Sequence, residues 1–469
     1  MNNEFETVIG LEVHIELSTE TKMYCSCKNT FGEKENTEIC PICTGSPGAL
    51  PTVNKKAVEL AVRAGLALNC RINRRFKTAR KNYFYPDLPK GYQISQLDFP
   101  LCENGFLEVN EKKYRISNIH LEEDAGKVYA GGIDYNRCGI PLIEIVTAPC
   151  FNSAEEVLTF LKELRLILIH LNVSDCKIEQ GSMRCDVNVS THYKNAPLGE
   201  RCELKNVSGF NNILQGILYE EKRQREIVSS GGEICRETRR WDFNGMKSVL
   251  LRSKENTEDY RYFNEPDLPT VTLTESFIGD ISSDLPMLPK EKRLYYNSLG
   301  ISPQMTEDII NDIQKDRIFG ECISLEICAP KTAAALVNGI AASFLNENPD
   351  FFNETGKKKL CLSLCQIGEL KERNVISSSY VKILFDEHIK SGKDIYSLVK
   401  ELRLEQNSDI DGIKALVRKV LQNNQSSVEA YKKGKTNVLA FLVGQCMKLS
   451  GGKTDPALCK EYILKEIDR

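Results

Sequence analysis

Residues 7–17 read Thr-Val-Ile-Gly-Leu-Glu-Val-His-Ile-Glu-Leu. In an extended strand side chains alternate between faces with period two. Ile9, Leu11, Val13, Ile15 and Leu17 then share one face, and Glu12, His14 and Glu16 the other. The first face can cover a core. The second offers two carboxylates and an imidazole on a rigid support, which suits a divalent cation or a proton-transfer site. Taken alone, the segment also fits an edge strand with ordinary surface charges. Two further segments add to the first reading. In Asn118-Ile-His-Leu-Glu-Glu-Asp-Ala-Gly126, an extended chain places His120, Glu122 and Asp124 together, opposite Ile119 and Leu121. In Ile140-Pro-Leu-Ile-Glu-Ile-Val146, Glu144 stands alone in an apolar run, a costly position unless the carboxylate is paired or binds a metal. Oxygen ligands with one histidine favour Mg²⁺ or Mn²⁺ over zinc.

Four of the 18 cysteines form a pattern. Cys25-Ser-Cys27 and Cys40-Pro-Ile-Cys43 are two close pairs separated by 12 residues. That arrangement belongs to a structural four-cysteine zinc site, although Cys-x-Cys is tighter than the usual Cys-x₂-Cys; four unligated thiols are the alternative. His14-Ile15-Glu16 ahead of Cys40-Pro-Ile-Cys43 faintly echoes zinc deaminases, but the proline lies between the cysteines and the histidine lies on a strand. The remaining cysteines are scattered. With the polar, acidic start Met-Asn-Asn-Glu-Phe-Glu and no apolar run near 20 residues, they point to reduced thiols in the cytoplasm. No P-loop, Gly-x-Gly-x-x-Gly, Gly-x-Ser-x-Gly or His-Glu-x-x-His is present, so any nucleotide is held by other means.

The 469 residues suggest about three domains. Strand-like alternation and turns over residues 1–290 predict an α+β domain rich in antiparallel pairing that carries the cysteine insert at 25–43. Within it, Ser153 and Glu156 form a capping-box pattern ahead of Val157, Leu161, Leu164, Leu168 and Leu171, and a second helix is expected over 212–228. Residues 291–404 read as a helical domain, with one packed helix over 331–345. A polar stretch at 405–411 leads into a helical tail, 405–469, where Gly434 and Gly444 suggest breaks or close packing. From Gly412 to Lys453 eight basic residues (Lys414, Arg418, Lys419, Lys432, Lys433, Lys435, Lys448, Lys453) face one acid, Glu429, a local charge of +7 in a chain of net −3. Such a bias is either a footprint for a polyanion or a solvated helix face.

Two other segments carry chemistry. Over residues 80–96, Arg80, Lys81 and Lys90 interleave with Tyr83, Phe84, Tyr85 and Tyr92, cations beside rings that suit a nucleotide or a single-stranded RNA end, or that pack a proline-stiffened loop onto the core. In residues 181–189, Arg184, Asp186 and Asn188 share a face, and Glu203 and Lys205 repeat that pattern.

These strings together resemble the B subunits of aspartyl/glutamyl-tRNA amidotransferases. The resemblance rests on Val-Ile-Gly-Leu-Glu-Val-His-Ile-Glu-Leu at 8–17, the whole of 80–96, His-Leu-Glu-Glu-Asp-Ala-Gly-Lys at 120–127 and Pro-Leu-Ile-Glu-Ile-Val at 141–146. It continues through Asp-Tyr-Arg-Tyr-Phe at 259–263, Glu-Pro-Asp-Leu-Pro at 265–269 and Phe-Leu-Val-Gly-Gln at 441–445. It implies a ligase component that binds tRNA(Gln) charged with Glu, or tRNA(Asn) charged with Asp. The side-chain carboxylate is phosphorylated with ATP and Mg²⁺, then amidated with ammonia that the A subunit releases from glutamine; the C subunit completes a heterotrimer. By the same resemblance residues 1–290 are the catalytic cradle, His14, Glu122 and Glu144 hold Mg²⁺ with Glu12 beside them, and Asp186 and Glu203 line the same pocket. Lys81, Tyr83, Tyr85, Lys90, Arg184 and Lys205 serve the nucleotide or RNA end, Cys25, Cys27, Cys40 and Cys43 hold structural Zn²⁺, and the basic tail meets the tRNA body.

The sequence also departs from that pattern. The family's Ser-Glu-Pro-Asp after Glu-Ile-Val is Thr147-Ala148-Pro149-Cys150 here, and its Lys-Asn-x-Asn-Ser-Phe becomes Lys205-Asn206-Val207-Ser208-Gly209-Phe210. These changes motivate one alternative, a divergent tRNA-binding scaffold without catalysis.

Overall fold

The computed structural model describes residues 4–205, 207–253, 260–348, 351, 354–405, 410–451 and 454–467. Asn206, Asp259, Lys453 and most of the expected linker at 405–411 lie outside the described residues. The chain divides into two compact units, Met1–Pro289 and Lys290–Arg469.

In the first unit the strands run β1 (Phe5–Glu16), β2 (Arg71–Ile72), β3 (Arg75–Phe76), β4 (Ala79–Asn82), β5 (Tyr92–Ser95), β6 (Cys102–Val109) and β7 (Lys112–Glu123). They continue as β8 (Lys127–Tyr129), β9 (Gly132–Asp134), β10 (Pro141–Thr147), β11 (Met183–Tyr193), β12 (Cys202–Lys205), β13 (Glu237–Asp242) and β14 (Lys247–Ser253). Nine of them form one sheet in the order β14-β13-β12-β11-β1-β10-β7-β6-β2. Neighbours are antiparallel except β12 and β13. β1 therefore lies centrally, between β10 and β11, which removes the edge-strand reading.

Ile9, Leu11, Val13 and Ile15 of β1 are buried in one continuous core with Ile119, Leu121, Ile143, Ile145, Val187 and Leu204. Three helices cover that face: α1 (Lys55–Ala67), α2 (Ala154–His170) and α3 (Phe210–Ser229). α2 starts where the sequence predicts. Ser153 Oγ accepts the Glu156 amide at 3.2 Å, and the Glu156 carboxylate accepts the Asn152 amide at 2.9 Å, one residue earlier than in a full capping box. The segment 80–96, expected as a stiff loop, is a hairpin of β4 and β5 extended by a short strand at Phe263–Asn264.

The second unit is helical. Residues 331–345 are helical as expected but not regular: Pro330–Leu336 and Ala342–Glu347 flank a π turn at Val337–Ala341, where Asn338 Nδ2 reaches the Met305 carbonyl at 3.3 Å. In the tail, helices Ile410–Asn423, Val438–Leu449 and Pro456–Ile467 share a core of Ile413, Val417, Val420, Leu442, Cys446, Cys459 and Ile463. Gly434, at φ +93°, follows the end of the helix Gln425–Lys432, but Gly444 lies inside Val438–Leu449 and breaks nothing. The last helix also brings acids to the basic stretch, with Glu466 bound to Arg418 at 3.0 Å. Among the described residues no helix is long and apolar enough to cross a membrane.

Candidate active site

Strand register builds the site. His14 of β1 pairs with Glu144 of β10, which pairs with His120 of β7. On the other side of β1, Glu12 pairs with Asp186 and His14 with Arg184 of β11, and Asn188 pairs with Glu203 of β12. Directly opposed residues share a face, so the sheet side away from the helices collects the polar residues of five strands.

Three of them converge. His14 Nε2 stands 3.8 Å from both Glu122 Oε2 and Glu144 Oε1, and one ligand atom from each residue lies within 4.8 Å of the others. These gaps are too long for hydrogen bonds and leave room for a cation between the groups. Glu122 is oriented by Ser95 Oγ, which donates to its Oε1 at 2.6 Å. Burial and the neighbouring Glu144 push the Glu122 carboxyl up. Burial also opposes the charge on Glu144, but His120, His14 and Lys81 outweigh it and hold that carboxyl below the usual range. Burial disfavours the Lys81 ammonium, yet Glu122, Tyr262, Tyr83 and Glu144 raise it above its ordinary value.

Glu12, two residues before His14 on the same face of β1, belongs to a second group as well. Its carboxylate lies with Asp186 and Glu203, again within 4.8 Å of one another. Lys205 Nζ bridges Asp186 (2.9 Å) and Glu203 (3.1 Å), Thr238 Oγ1 donates to Glu203 at 3.0 Å, and Asn188 Nδ2 donates to Glu12 at 3.0 Å. Burial, Glu144 and Glu203 together raise the Glu12 carboxyl, so the two groups feel each other across β1. A third group joins Arg184 to Asp124 (3.0 Å) and Arg137 to both Asp124 and Glu16. Asp124 lies one residue beyond the end of β7, and its ion pairs with Arg184 and Arg137 bring it to the same polar face as Glu122. Burial and Asp124 lift the Glu16 carboxyl to about 7 against the pull of Arg137.

In the β4–β5 hairpin, Lys81 lies 5.1 Å from the ring of Tyr260 and 5.9 Å from that of Tyr83, and Tyr83 meets Tyr85 edge-on at 5.9 Å. Lys90 does not join them. It is paired with Glu123, whose Oε1 also accepts the Ile94 amide at 2.9 Å, and it packs against Gly45 of the cysteine loop. Arg80 is likewise committed, bidentate to Glu265 at 2.6 and 2.8 Å and stacked on Tyr92 at 4.2 Å.

The four predicted cysteines meet: one sulfur from each of Cys25, Cys27, Cys40 and Cys43 lies within 4.8 Å of the rest, and Cys40 and Cys43 are 3.9 Å apart. Thiolates about 2.3 Å from a tetrahedral zinc stand roughly 3.8 Å from one another, close to the Cys40–Cys43 spacing, so the cluster suits a metal.

A family model described as the GatB/GatE catalytic domain matches residues 7–279, and one described as the GatB domain matches residues 317–467. A protein from Caldicellulosiruptor bescii, named as the B subunit of aspartyl/glutamyl-tRNA(Asn/Gln) amidotransferase, is 44% identical over 482 residues, covering 99% of this chain and all of the relative. Proteins of the same name from Caldicellulosiruptor saccharolyticus and Clostridium novyi are 44% and 41% identical over 99% of the chain. The chain belongs to the family of aspartyl/glutamyl-tRNA(Asn/Gln) amidotransferase B subunits.

In this amidotransferase B subunit the polar face runs between two cavities. One, of about 380 Å³, lies at the Glu12 end and is lined by Val8, Gly10, Leu11, Val146, Pro149, Asn188, Leu198 and Gly199, with Arg201 and Arg236 also on its wall. Asn188 is 8% exposed, and its Oδ1 has no partner among the described residues. The other, of about 490 Å³, lies at the Glu16 end beside Arg137, Lys127 and Lys177. The divergent Thr147 lines the first. Sequence reasoning missed Arg137, Ser95 and Thr238. Arg137 sits on a loop with no periodic signal, and the other two are ordinary hydroxyl residues whose importance depends on what register brings beside them.

Proposed function

We propose that this chain is the tRNA-binding, carboxylate-activating component of an ATP-dependent, glutamine-hydrolysing amidotransferase. It acts on tRNA(Gln) charged with Glu or tRNA(Asn) charged with Asp, in a heterotrimer with its A and C subunits, the A subunit being the glutaminase. The observation that carries this reading is the convergence of His14, Glu122 and Glu144 on one cation-sized gap, within a domain that matches the family along nearly its whole length.

A free carboxylate is a poor acyl donor, and ATP supplies the phosphoryl group that gives it a leaving group. His14, Glu122 and Glu144 would hold Mg²⁺, which would offset the phosphate charge. Around them, Ser95 fixes Glu122, His120 stands 3.6 Å from Glu144, and Lys81 supplies a positive charge beside the reacting groups. The cavity at the Glu12 end suits the nucleoside: Gly10 and Gly199 let a flat ring approach, the apolar walls cover it, and Asn188 Oδ1 offers an acceptor for an amino or hydroxyl group. Tyr83 and Tyr85, with the exposed Phe84 between them, suit stacking by the terminal base of the tRNA. Arg184, held by Asp124, and Lys205 would meet anionic groups of the substrates. The four cysteines would hold a structural Zn²⁺, and the tail's lysines would meet the tRNA body.

The test is ADP release by the complex of this chain with its A and C subunits, with and without Glu-tRNA(Gln) or Asp-tRNA(Asn), in Mg²⁺. ADP release that depends on the mischarged tRNA is expected, and Glu122→Ala abolishes it while leaving assembly intact. Binding of both tRNAs without ADP release would replace this reading by the scaffold that Ala148 and Cys150 suggest.

A further inference from the structure

Lys22 is 0% exposed, and among the described residues no carboxylate pairs with it. Its Nζ donates to the Glu38 carbonyl at 2.7 Å and lies 3.9 Å from Cys43 Sγ. Its backbone N–H donates to the Cys27 carbonyl at 3.0 Å. One residue thus touches both halves of the four-cysteine loop. A buried ammonium with a single carbonyl partner is costly unless an anion is near. Four thiolates around one divalent cation leave two negative charges, and these are buried beside it. We propose that Lys22 is the charge partner of the four-cysteine centre: a positioning residue that donates to the Cys43 thiolate, offsets part of the centre's negative charge and so sets its metal affinity.

This inference rests on the reading that the cysteines hold a metal. Its reach extends beyond the loop. A Cβ on Gly139 would stand 3.4 Å from Cys43 Cβ and 3.6 Å from Lys22 Cδ, so Gly139 packs against both. The Gly139 N–H donates to the Asp124 carbonyl at 3.0 Å, and its own carbonyl accepts the Met23 amide at 2.7 Å. Lys22 therefore lies where the cysteine loop is fastened to the segment that follows Glu122 and Glu123.

The test compares the full chain with its Lys22→Met, Lys22→Gln and Lys22→Arg variants. Zinc affinity is read by competition with a chromogenic chelator under reducing conditions. Loss of partners beyond the ligands themselves typically costs about 10–100-fold in metal affinity. That loss is expected in both neutral variants, with recovery in Lys22→Arg. Lys22→Gln removes the charge but keeps a polar N–H donor, one bond shorter than the lysine, so it guards against a folding defect in Lys22→Met. In Co²⁺-loaded protein the thiolate-to-metal charge-transfer band should move to longer wavelength in the neutral variants, because a nearby cation stabilises the sulfur lone pairs. A purely structural Lys22 would not move it. Unchanged affinity and an unmoved band in either folded neutral variant overturn the proposal. A wild-type chain that takes up neither metal overturns the metal reading itself.

Discussion

Replacing Glu220 should loosen one whole edge of the sheet. Glu220 lies on α3 and is 0% exposed. Its Oε1 accepts from Arg223 (2.6 Å) and Gln224 (2.9 Å), and its Oε2 accepts from Arg223 Nε (3.0 Å) and Ser248 Oγ (3.0 Å). Arg223 continues to Glu237 at 3.0 Å, while Gln224 accepts from the Thr191 amide and donates to the Val189 carbonyl. Through these bonds α3 holds β11, β13 and β14. Hydrogen bonds to a charged group contribute about 1.5–3 kcal/mol each, which for four bonds gives an upper bound. The partners keep other bonds, so Glu220→Ala should cost the about 3–5 kcal/mol typical of breaking a buried ion pair on one side. Glu220→Gln keeps shape and an acceptor and should cost less. Trp241, the chain's single tryptophan, is buried on β13 and packs edge-on against Tyr219 of α3 at 6.0 Å, so its fluorescence reports this region in a urea titration. The pH dependence has a definite sign. Burial pushes the Glu220 carboxyl up, but the bonds from Arg223 and Gln224 outweigh it and hold it below the ordinary value. Its contribution is present above the unfolded pKa of about 4.3 and is lost as pH falls through the folded one. Wild type should therefore lose stability in acid more steeply than Glu220→Gln. A Glu220→Ala loss under about 1 kcal/mol would mean that the network is not a clamp, against the range quoted above.

Gly65→Ala should destabilise despite the better helix propensity. The new Cβ would stand 2.5 Å from the sulfur of buried Cys102 and 2.9 Å from Ile72 Cδ1, and overpacking of about 1–3 kcal/mol exceeds a propensity gain of about 1 kcal/mol; a raised melting temperature would refute this. Thr147→Val should cost about 1–3 kcal/mol, because Thr147 Oγ1 accepts the Leu11 amide at 2.9 Å inside the sheet; unchanged urea stability would show that this amide finds another partner. Chelating the metal proposed for the four cysteines should lower the melting temperature of the first unit, since a structural metal contributes folding energy; an unmoved transition after metal release would contradict it. Mn²⁺, read by electron paramagnetic resonance, should bind more tightly at His14, Glu122 and Glu144 than at Glu12, Asp186 and Glu203, where Lys205 already supplies charge; His14→Ala weakening the tight site and Asp186→Asn sparing it is the expected pattern, and the reverse refutes it.

The site was legible where its residues sit on strands. Period two put Glu12, His14 and Glu16 on one face, and Arg184, Asp186 and Asn188 on another strand's face, before any pairing was known. The division of these residues into three groups was not legible, because register between distant strands decides it: Glu12 faces Asp186 while His14 faces Glu144. The pairing of Lys90 with Glu123 was not legible for a related reason. The lysine's segment carries no period, and Glu123 points away from the face that displays Glu122. The charge count in the tail closed at Lys453, before Glu461 and Glu466 on the last helix, which pair with Lys465 and Arg418. The π turn at Val337–Ala341 leaves the helical composition of its segment intact, so nothing in the sequence reading separated it from a regular helix.

The polar face also explains why a chain of modest net charge concentrates acids so closely. Glu12, Glu16, Glu122, Asp124, Glu144, Asp186 and Glu203 are set against Lys81, Arg137, Arg184 and Lys205, an excess of three carboxylates. The fixed cations are unevenly placed. Lys205 sits between Asp186 and Glu203, and two arginines hold Asp124, whereas Glu122 and Glu144 have imidazoles and an ammonium near them but no direct ion pair with a Lys or Arg among the described residues. The excess is expressed as strain on protonation, with Glu12, Glu16 and Glu122 all raised by burial and by other carboxylates. Replacing these acids by neutral residues would relieve that strain, so the face is not arranged for the stability of the free chain. That imbalance supports the proposed role of the gap between His14, Glu122 and Glu144 as a cation site.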